Sequence, residues 1–291
     1  MTTTLRYEVV DVFTDRPFTG NPLAVVYGAG ELAGDQLQAI AREFNLSETI
    51  FVLPPSAEGA TYRVRIFTPG AEIPFAGHPS VGAAVTLHRA GRFPAGTVVQ
   101  ECGAGLLPIL VDDAGMATLT GGTPASGPEL DPGPLLAAVG LTDADFAGPA
   151  PRVAGCGLEF PYLSVRPGAV ARASVDAAAF RAAGVDDVDI FAWDPATATA
   201  HARVFVPALG VPEDPATGSA ALGLGVWLVA SGLLPGDGTA AYRVRQGAEM
   251  HRPSTMECTV TADRGTAVRA TVSGHVVPVA SGEMAIPPFV G

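Results

Sequence analysis

Cysteine, aromatic residues and positive charge are all scarce in this chain. Its three cysteines, Cys102, Cys156 and Cys258, cannot all pair, and they show neither CxxC nor mixed Cys/His spacing. A disulfide framework and a zinc site of that kind are excluded. Seventeen basic against 29 acidic side chains leave a formal charge of -12, with no Lys/Arg run. Phosphate backbones repel such a surface, so nucleic acid is not an expected partner. No segment reaches the roughly 18 consecutive apolar residues of a membrane helix. The nearest, residues 220–230, reads as a short buried helix. The first residues lack the apolar core of a signal peptide. These absences describe a cytoplasmic protein with no membrane partner.

What is present is apolar bulk and chain-breaking residues: 48% hydrophobic, with 35 Gly and 26 Pro. The length suits two ordinary domains or one large one. Tyr7 to Phe13 and Leu23 to Tyr27 read as a strand pair across the Asn21-Pro22 turn. Apolar residues at Leu37, Ile40, Ala41 and Phe44 have helical spacing, and Ile50 to Leu53 reads as a strand. Tyr62, Val64 and Ile66 alternate with Arg63 and Arg65 as in a half-buried strand. Pro79 and Gly91 suit the first turn and the stop of a helix over 78–91. The Gly/Pro-rich stretch 121–134 reads as a linker.

The second half repeats the first. Arg65-Ile-Phe-Thr-Pro69 returns as Arg203-Val-Phe-Val-Pro207 at an offset of 138 residues, which Pro74 and Pro212 also hold. Three added residues then bring Gly77-His78 onto Gly218-Ser219, each opening a helix rich in small residues. Gln100 and Gln246 follow at corresponding places. Two related halves facing one another place both helix starts on a single cleft. The domains expected are 1–125 and 126–279, with 280–291 a candidate to complete the first.

A helix start carries unpaired N–H groups and a partial positive potential, which suits a carboxylate. Gly77 and Gly218 allow close approach to the backbone. His78 is either a proton relay or a core histidine. Asp214 is a functional carboxylate or a helix cap, and Ser219 a ligand for an anion or a cap. Glu48, at the edge of an apolar strand, is a surface residue or a partly desolvated general acid–base. Asn21 lines a pocket or forms a turn. Nucleophile-elbow, P-loop and dinucleotide-binding glycine patterns are absent.

Several segments together resemble the phenazine biosynthesis PhzF-like family: 11–25, Asn45-Leu-Ser-Glu-Thr-Ile-Phe-Val52, 65–69, Phe75-Ala-Gly-His-Pro79, Glu213-Asp-Pro-Ala-Thr-Gly-Ser-Ala220, Gln246-Gly247 and Arg252-Pro-Ser254. The resemblance implies an α+β, diaminopimelate epimerase-like fold. Two pseudo-symmetric domains would each wrap a mixed, barrel-like sheet around a central helix. It also implies a homodimer and an isomerase working without metal or organic cofactor on a small anionic metabolite, similar to trans-2,3-dihydro-3-hydroxyanthranilate isomerase. On that pattern Glu48, His78 and Asp214 are catalytic, and Gly77, Gly218 and Ser219, with Asn21, bind substrate. Related epimerases carry cysteines at both helix starts, whereas this chain has Gly77-His78 and Gly218-Ser219. His251 stands where the family commonly has glycine. A racemase or epimerase of a small amino acid and a non-catalytic metabolite-binding protein are the competing functions.

Overall fold

The alternating segments on either side of Asn21-Pro22 form an antiparallel pair, β1 (Thr4–Val12) and β2 (Asn21–Tyr27). The structure is a computed structural model and describes residues 4–207 and 211–289. Helix α1 (Gly34–Phe44) crosses to β3 (Glu48–Leu53), which lies parallel to β2. Its Leu37, Ile40 and Ala41 pack with Leu5, Val26, Phe51 and Phe67. Strand β4 (Tyr62–Phe67) is antiparallel to β3 and carries the short β5 (Glu72–Ile73). Helix α2 (Gly77–Arg89) then leads to β6 (Gly96–Cys102), parallel to β4, and on to β7 (Gly105–Val111) and β8 (Met116–Thr120).

The same order recurs. Strand β9 (Pro124–Glu129), helix α3 (Pro132–Ala138), β10 (Arg152–Cys156) and β11 (Glu159–Ser164) come first. Helices α4 (Pro167–Val170) and α5 (Ala177–Ala183) make the crossover to β12 (Val188–Asp194), parallel to β11. Strand β13 (Thr199–Val206) carries the short β14 (Val211–Asp214), as β4 carries β5. Helix α6 (Gly218–Ala230) leads to β15 (Gly238–Gln246), parallel to β13. Strand β16 (Ser254–Asp263) and β17 (Thr266–Ala285) complete the order. The result is α+β: a mixed, barrel-like sheet, with one buried helix in each half of the strand order.

Contacts divide the chain into residues 1–119 with 273–291, and residues 120–272. The boundaries thus fall at 119/120 and 272/273 rather than 125/126 and 279/280. The C-terminal stretch joins the first unit because β17 pairs antiparallel with all of β1, from Val276 to Ala285. The expected linker 121–134 is also corrected. Most of it is β9 and the start of α3, and β9 pairs with β10. Its prolines do not break the ladder, because Pro124 opens the strand and Pro128 falls where the register shifts.

The internal repeat is physical as well as textual. Arg65 donates through Nε and a terminal nitrogen to both Glu72 oxygens, each at 2.7 Å. Arg203 grips Glu213 the same way, at 2.8 and 2.7 Å. The added residues therefore lie before the glutamate, so Pro74 corresponds to Pro215 and not to Pro212. The glycine contacts agree: a Cβ at Gly103 would meet Pro74, and one at Gly247 would meet Pro215.

Both central helices are buried on every side over most of their length, α2 from Gly77 to Leu87 and α6 from Gly218 to Val229. A helix without a polar face must be enclosed. In α6 the enclosing strands come very close. The Tyr162 and Tyr242 hydroxyls donate to the helix carbonyls of Ala220 and Ala221, both at 2.7 Å. A Cβ on Gly223 would sit 2.3 Å from the Tyr162 hydroxyl and 3.0 Å from the Gly155 Cα. Gly223→Ala is expected to destabilise the protein by about 1–3 kcal/mol through overpacking, read from urea unfolding. A variant as stable as wild type would show that α6 has room to spare.

One buried carboxyl is unusual. Asp189, on β12, is 1% exposed, and its Oδ1 has no hydrogen-bond partner. Burial, and then the charge of Asp187, hold its carboxyl well above the usual range. The folded state therefore keeps a proton that the unfolded chain releases, and stability is lost as pH rises. Asp189→Asn is expected to flatten that loss and to gain roughly 1–3 kcal/mol at alkaline pH. Thermal unfolding at several pH values measures it, and parallel wild-type and variant curves would contradict the assignment.

Candidate active site

Four of the sequence-predicted site residues fall in the first unit and three in the second. In the first, Glu48 opens β3, beside Leu23 of β2 in the parallel register. Asn21 opens β2, and His78 is the second residue of α2. Local sequence explains these placements. The 13–20 loop turns sharply, with Phe13 at φ 64 and Phe18 at φ 65, backbone that non-glycine residues seldom adopt. Buried Asp11 anchors it by accepting the Phe18 N–H at 2.6 Å, so the loop delivers Asn21 to a fixed point.

The three side chains converge. Asn21 Nδ2 lies 3.2 Å from His78 Nδ1, and the same ring nitrogen lies 3.4 Å from Glu48 Oε2. Asn21 is fully buried, His78 is 4% exposed and Glu48 17%. Asn21 therefore orients the histidine, beyond shaping a turn. Burial lowers the His78 pKa from 6.5 to about 3, outweighing the opposing hydrogen bond at Pro22. The ring is neutral near pH 7, so its approach to Glu48 is a hydrogen-bonding contact and not an ion pair.

Two proton placements are open to the neutral ring, whose Nε2 is buried without a partner in either. With Nδ1 bare, its single lone pair accepts from the Asn21 amide or from Glu48 in its acid form, and Nε2 carries the proton. With Nδ1 protonated, the ring donates to the Glu48 carboxylate and Asn21 turns its oxygen inward. A neutral imidazole thus accommodates either state of Glu48 without gaining charge. Gly77 and His78 form the first turn of α2, whose N-cap, Ala76, has no side-chain acceptor. Ser80, one turn on, donates to the Ala76 carbonyl and accepts from Gln100, which is fully buried.

The second unit holds Asp214 at the end of β14 and Gly218-Ser219 at the start of α6. Asp214 does not cap that helix. Thr217 is the N-cap residue, and its hydroxyl donates to Asp214 Oδ2 at 2.6 Å. Gln246 fixes the turn by accepting the Thr217 N–H at 3.1 Å and donating to the Asp214 carbonyl at 2.7 Å. Ser219, 7% exposed, lies within the helix and is not its cap. Gln246 is 1% exposed, and its polar atoms are spent on this turn.

Sequence reasoning missed one residue that the registers expose. Phe51 pairs with Arg65, and Ile190 with Arg203. Counting back three residues on each strand sets Asp187 where Glu48 stands in the first unit. Burial and Asp186 push the Asp187 carboxyl up to about 6. The Arg65/Arg203 repeat carried back along the sequence reaches Asp186, one residue short, so only the strand registers bring out Asp187. By the same count Asp214 answers to Ile73, and Ser219 to His78. His251, by contrast, is an exposed residue at the end of a single helical turn.

The cysteines are poorly suited to proton transfer. Burial raises the Cys156 thiol to about 12 and that of Cys258 further, and Cys102 is also raised by burial. Among the described residues no group of three or more His, Cys, Asp or Glu is arranged to hold a metal ion. No helix among them is long and apolar enough to cross a membrane.

Comparison with known proteins agrees with this architecture. The family model described as phenazine biosynthesis-like protein matches residues 10–282. An uncharacterised isomerase of Mesorhizobium japonicum is 36% identical, covering 97% of this chain and 99% of its own. The trans-2,3-dihydro-3-hydroxyanthranilate isomerase of Pseudomonas aeruginosa is 33% identical, covering 95% of this chain and 98% of its own. A Bacillus anthracis phenazine biosynthesis protein of the PhzF family superposes with a TM-score of 0.87 at 26% identity, covering 98% and 100% of the two chains. A protein described as a predicted epimerase from Pseudomonas aeruginosa gives 0.80 at 33% identity, covering 96% and 98%. With the model matched over nearly its whole length, the chain belongs to the phenazine biosynthesis-like protein family and is, at that level, an isomerase or epimerase.

Proposed function

We propose that this protein is an isomerase in which Glu48 moves a proton on a small cyclic or unsaturated carboxylate, as the name of the Pseudomonas aeruginosa relative suggests for its own reaction. The observation that carries the reading is the Glu48–His78–Asn21 cluster: a half-buried carboxylate on a neutral, fully enclosed imidazole. Glu48 takes a proton from an activated C–H bond, and the electron pair of that bond passes into the adjoining unsaturation. The protonated Glu48 then returns the proton at another carbon, so the product is an isomer and no proton is lost. His78, neutral beside it, orients the Glu48 carboxyl group through their hydrogen-bonding contact.

One carboxylate serving as both acid and base favours transfer on a single face of the substrate. Stereoinversion calls for an acid and a base on opposite faces, and the raised thiols do not supply them. Backbone N–H groups at the start of α2 suit the substrate carboxylate. Asp214, Gly218 and Ser219 remain in the reading as the second unit's contribution to activity.

Incubation in deuterated water with trans-2,3-dihydro-3-hydroxyanthranilate and a panel of cyclic unsaturated carboxylates tests the reading. Turnover with deuterium incorporation is expected for wild type, and Glu48→Gln should lower both by about 10²-fold or more. Incorporation that survives in Glu48→Gln would remove the carboxylate from its role. Saturable binding with no altered product would instead mark a metabolite-binding protein.

His78 provides a check that needs no substrate. Its ring is expected not to titrate between about pH 5 and 8 in an NMR titration. Because the folded pKa lies below the ordinary 6.5, this residue's contribution to stability is present above that pH and lost as pH falls toward about 3. A midpoint near 6.5 would show the ring to be solvated and the cluster wrongly described.

A further inference from the structure

Strand β12 presents alternate residues to α6. The Phe191 ring meets that of Trp227 edge to face, with centroids 5.0 Å apart. Two residues back, Asp189 pairs with Tyr162, whose hydroxyl reaches the Ala220 carbonyl at 2.7 Å. Val188 and Ile190, between them, belong to the opposite face and its cluster with α3 and α5. Going from Phe191 to Asp189 thus moves from the third turn of α6 to its first. Asp187, two residues further back, falls at the helix start. Burial raises the Tyr162 hydroxyl and the Asp189 carboxyl, and the charge of Asp187 adds to both, which puts it on their side of the sheet.

That helix start is uncapped. The first helical bond runs from the Ala221 N–H to the Thr217 carbonyl at 2.9 Å, so the N–H groups of Gly218, Ser219 and Ala220 lie ahead of it. Thr217, the N-cap residue, turns its hydroxyl to Asp214 and caps none of them. Gly218, Ser219 and Ala220 are all buried. Asp189 is a second unmet donor: 1% exposed and held in its acid form, it leaves Oδ1 without a partner. Buried donors of this kind call for an acceptor.

The groups facing Asp187 are acidic or neutral. Asp189 on β12, Tyr162 on β11 and Ser219 on α6 surround it, and Asp186 precedes it in the chain. Asp214 closes the Asp189–Val204–Asp214 row and is held by Thr217. Arg203 pairs with Ile190 on the other face and is engaged there by Glu213. Asp187 is half-buried, and burial, then Asp186, push its carboxyl up to about 6. Among the described residues no basic side chain draws it back.

We propose that Asp187 is a substrate-binding residue that admits a ligand carboxylate to the start of α6 by sharing one proton with it. The proposal rests on the carboxylate substrate of the reading above and adds a condition to its binding. The ligand accepts from the helix N–H groups, and a proton taken from solvent lies between one of its oxygens and one of Asp187. Two carboxylates so placed do not both ionise. An amide in the same place needs no proton, and an amine would call for Asp187 in its charged form.

Calorimetry on the full-length protein tests this with anthranilate, anthranilamide and benzylamine between pH 6 and 8.5. Wild type is expected to bind anthranilate with an affinity that falls roughly ten-fold per pH unit once Asp187 is ionised. Heats in two buffers of different ionisation enthalpy should count one proton taken up per ligand at about pH 7.5. Anthranilamide should take up none. Asp187→Asn, a near-isosteric change at a half-buried position, should bind anthranilate with neither pH dependence nor uptake. Asp186→Asn should keep the uptake and move its midpoint to lower pH. The wild-type proton count decides the matter without any variant, and a count of zero overturns the proposal. So does an unchanged pH slope in Asp187→Asn, benzylamine binding that strengthens with pH through Asp187, or no saturation by anthranilate up to about 10 mM, ten-fold beyond the usual span of metabolite sites. Absent turnover in the deuterium experiment leaves this count standing, and a count of zero leaves the Glu48 chemistry standing, so the two readings fail separately.

Discussion

Everything in this fold follows from enclosing a helix that has no polar side. Residues 77–87 of α2 and 218–229 of α6 are buried throughout, so water cannot serve the polar groups at their first turns. The protein has to supply partners from its own strands. It does so in each unit with a buried glutamine, Gln100 reaching Ser80 and Gln246 reaching the Thr217 turn. The same enclosure sets the chemistry. A histidine at the second position of α2 can persist there only as a neutral ring, and a carboxylate touching it inherits a flexible hydrogen-bond partner in place of a counter-ion.

The two units share a frame and differ in their chemistry. The frame is the Arg65–Glu72 and Arg203–Glu213 clamp, each arginine also lying over a phenylalanine two residues on, at 5.2 and 4.8 Å from the ring centroid. On it, Glu48 answers to Asp187, His78 to Ser219 and Ile73 to Asp214. The clamp is common to both units, while the polar residues around the helix starts differ. In the second unit the clamp is nearly closed to solvent, with 8% and 13% exposure, whereas in the first it is half open at 31% and 42%. The second clamp also ties Arg203 to the Val170 and Ala173 carbonyls, fastening the α4 segment to β13.

Much of this was legible in the residues. The alternation along Tyr62–Phe67 fixed a strand, Pro79 and Gly91 marked one central helix, and the wholly apolar 220–230 segment announced the other. The helix starts, and the residues on them, were legible for the same reason: glycine followed by a polar residue and then small apolar ones is a local pattern. Three things were not. The 121–134 stretch looked like a linker because its prolines hide a strand that depends on β10 for its pairing. The Pro74/Pro212 match was an accident of spacing, and only the arginine–glutamate contact shows where the extra residues lie. The role of Asn21 was closed to sequence reasoning because it depends on a contact with a residue 57 positions away.

The route of the chain through the first unit has a consequence for synthesis. Strand β1 is translated before the second unit, yet the strand that covers its outer edge, residues 276–285, emerges only after the whole of that unit. Until then the edge of β1 stands open, with its alternate N–H and C=O groups unpaired. The second unit, being continuous in sequence, has no such wait. Vectorial synthesis therefore orders assembly backwards: the later half of the chain is able to complete its sheet while the earlier half is still waiting for its last strand, and ribosome-bound nascent chains spend that interval with an exposed sheet margin.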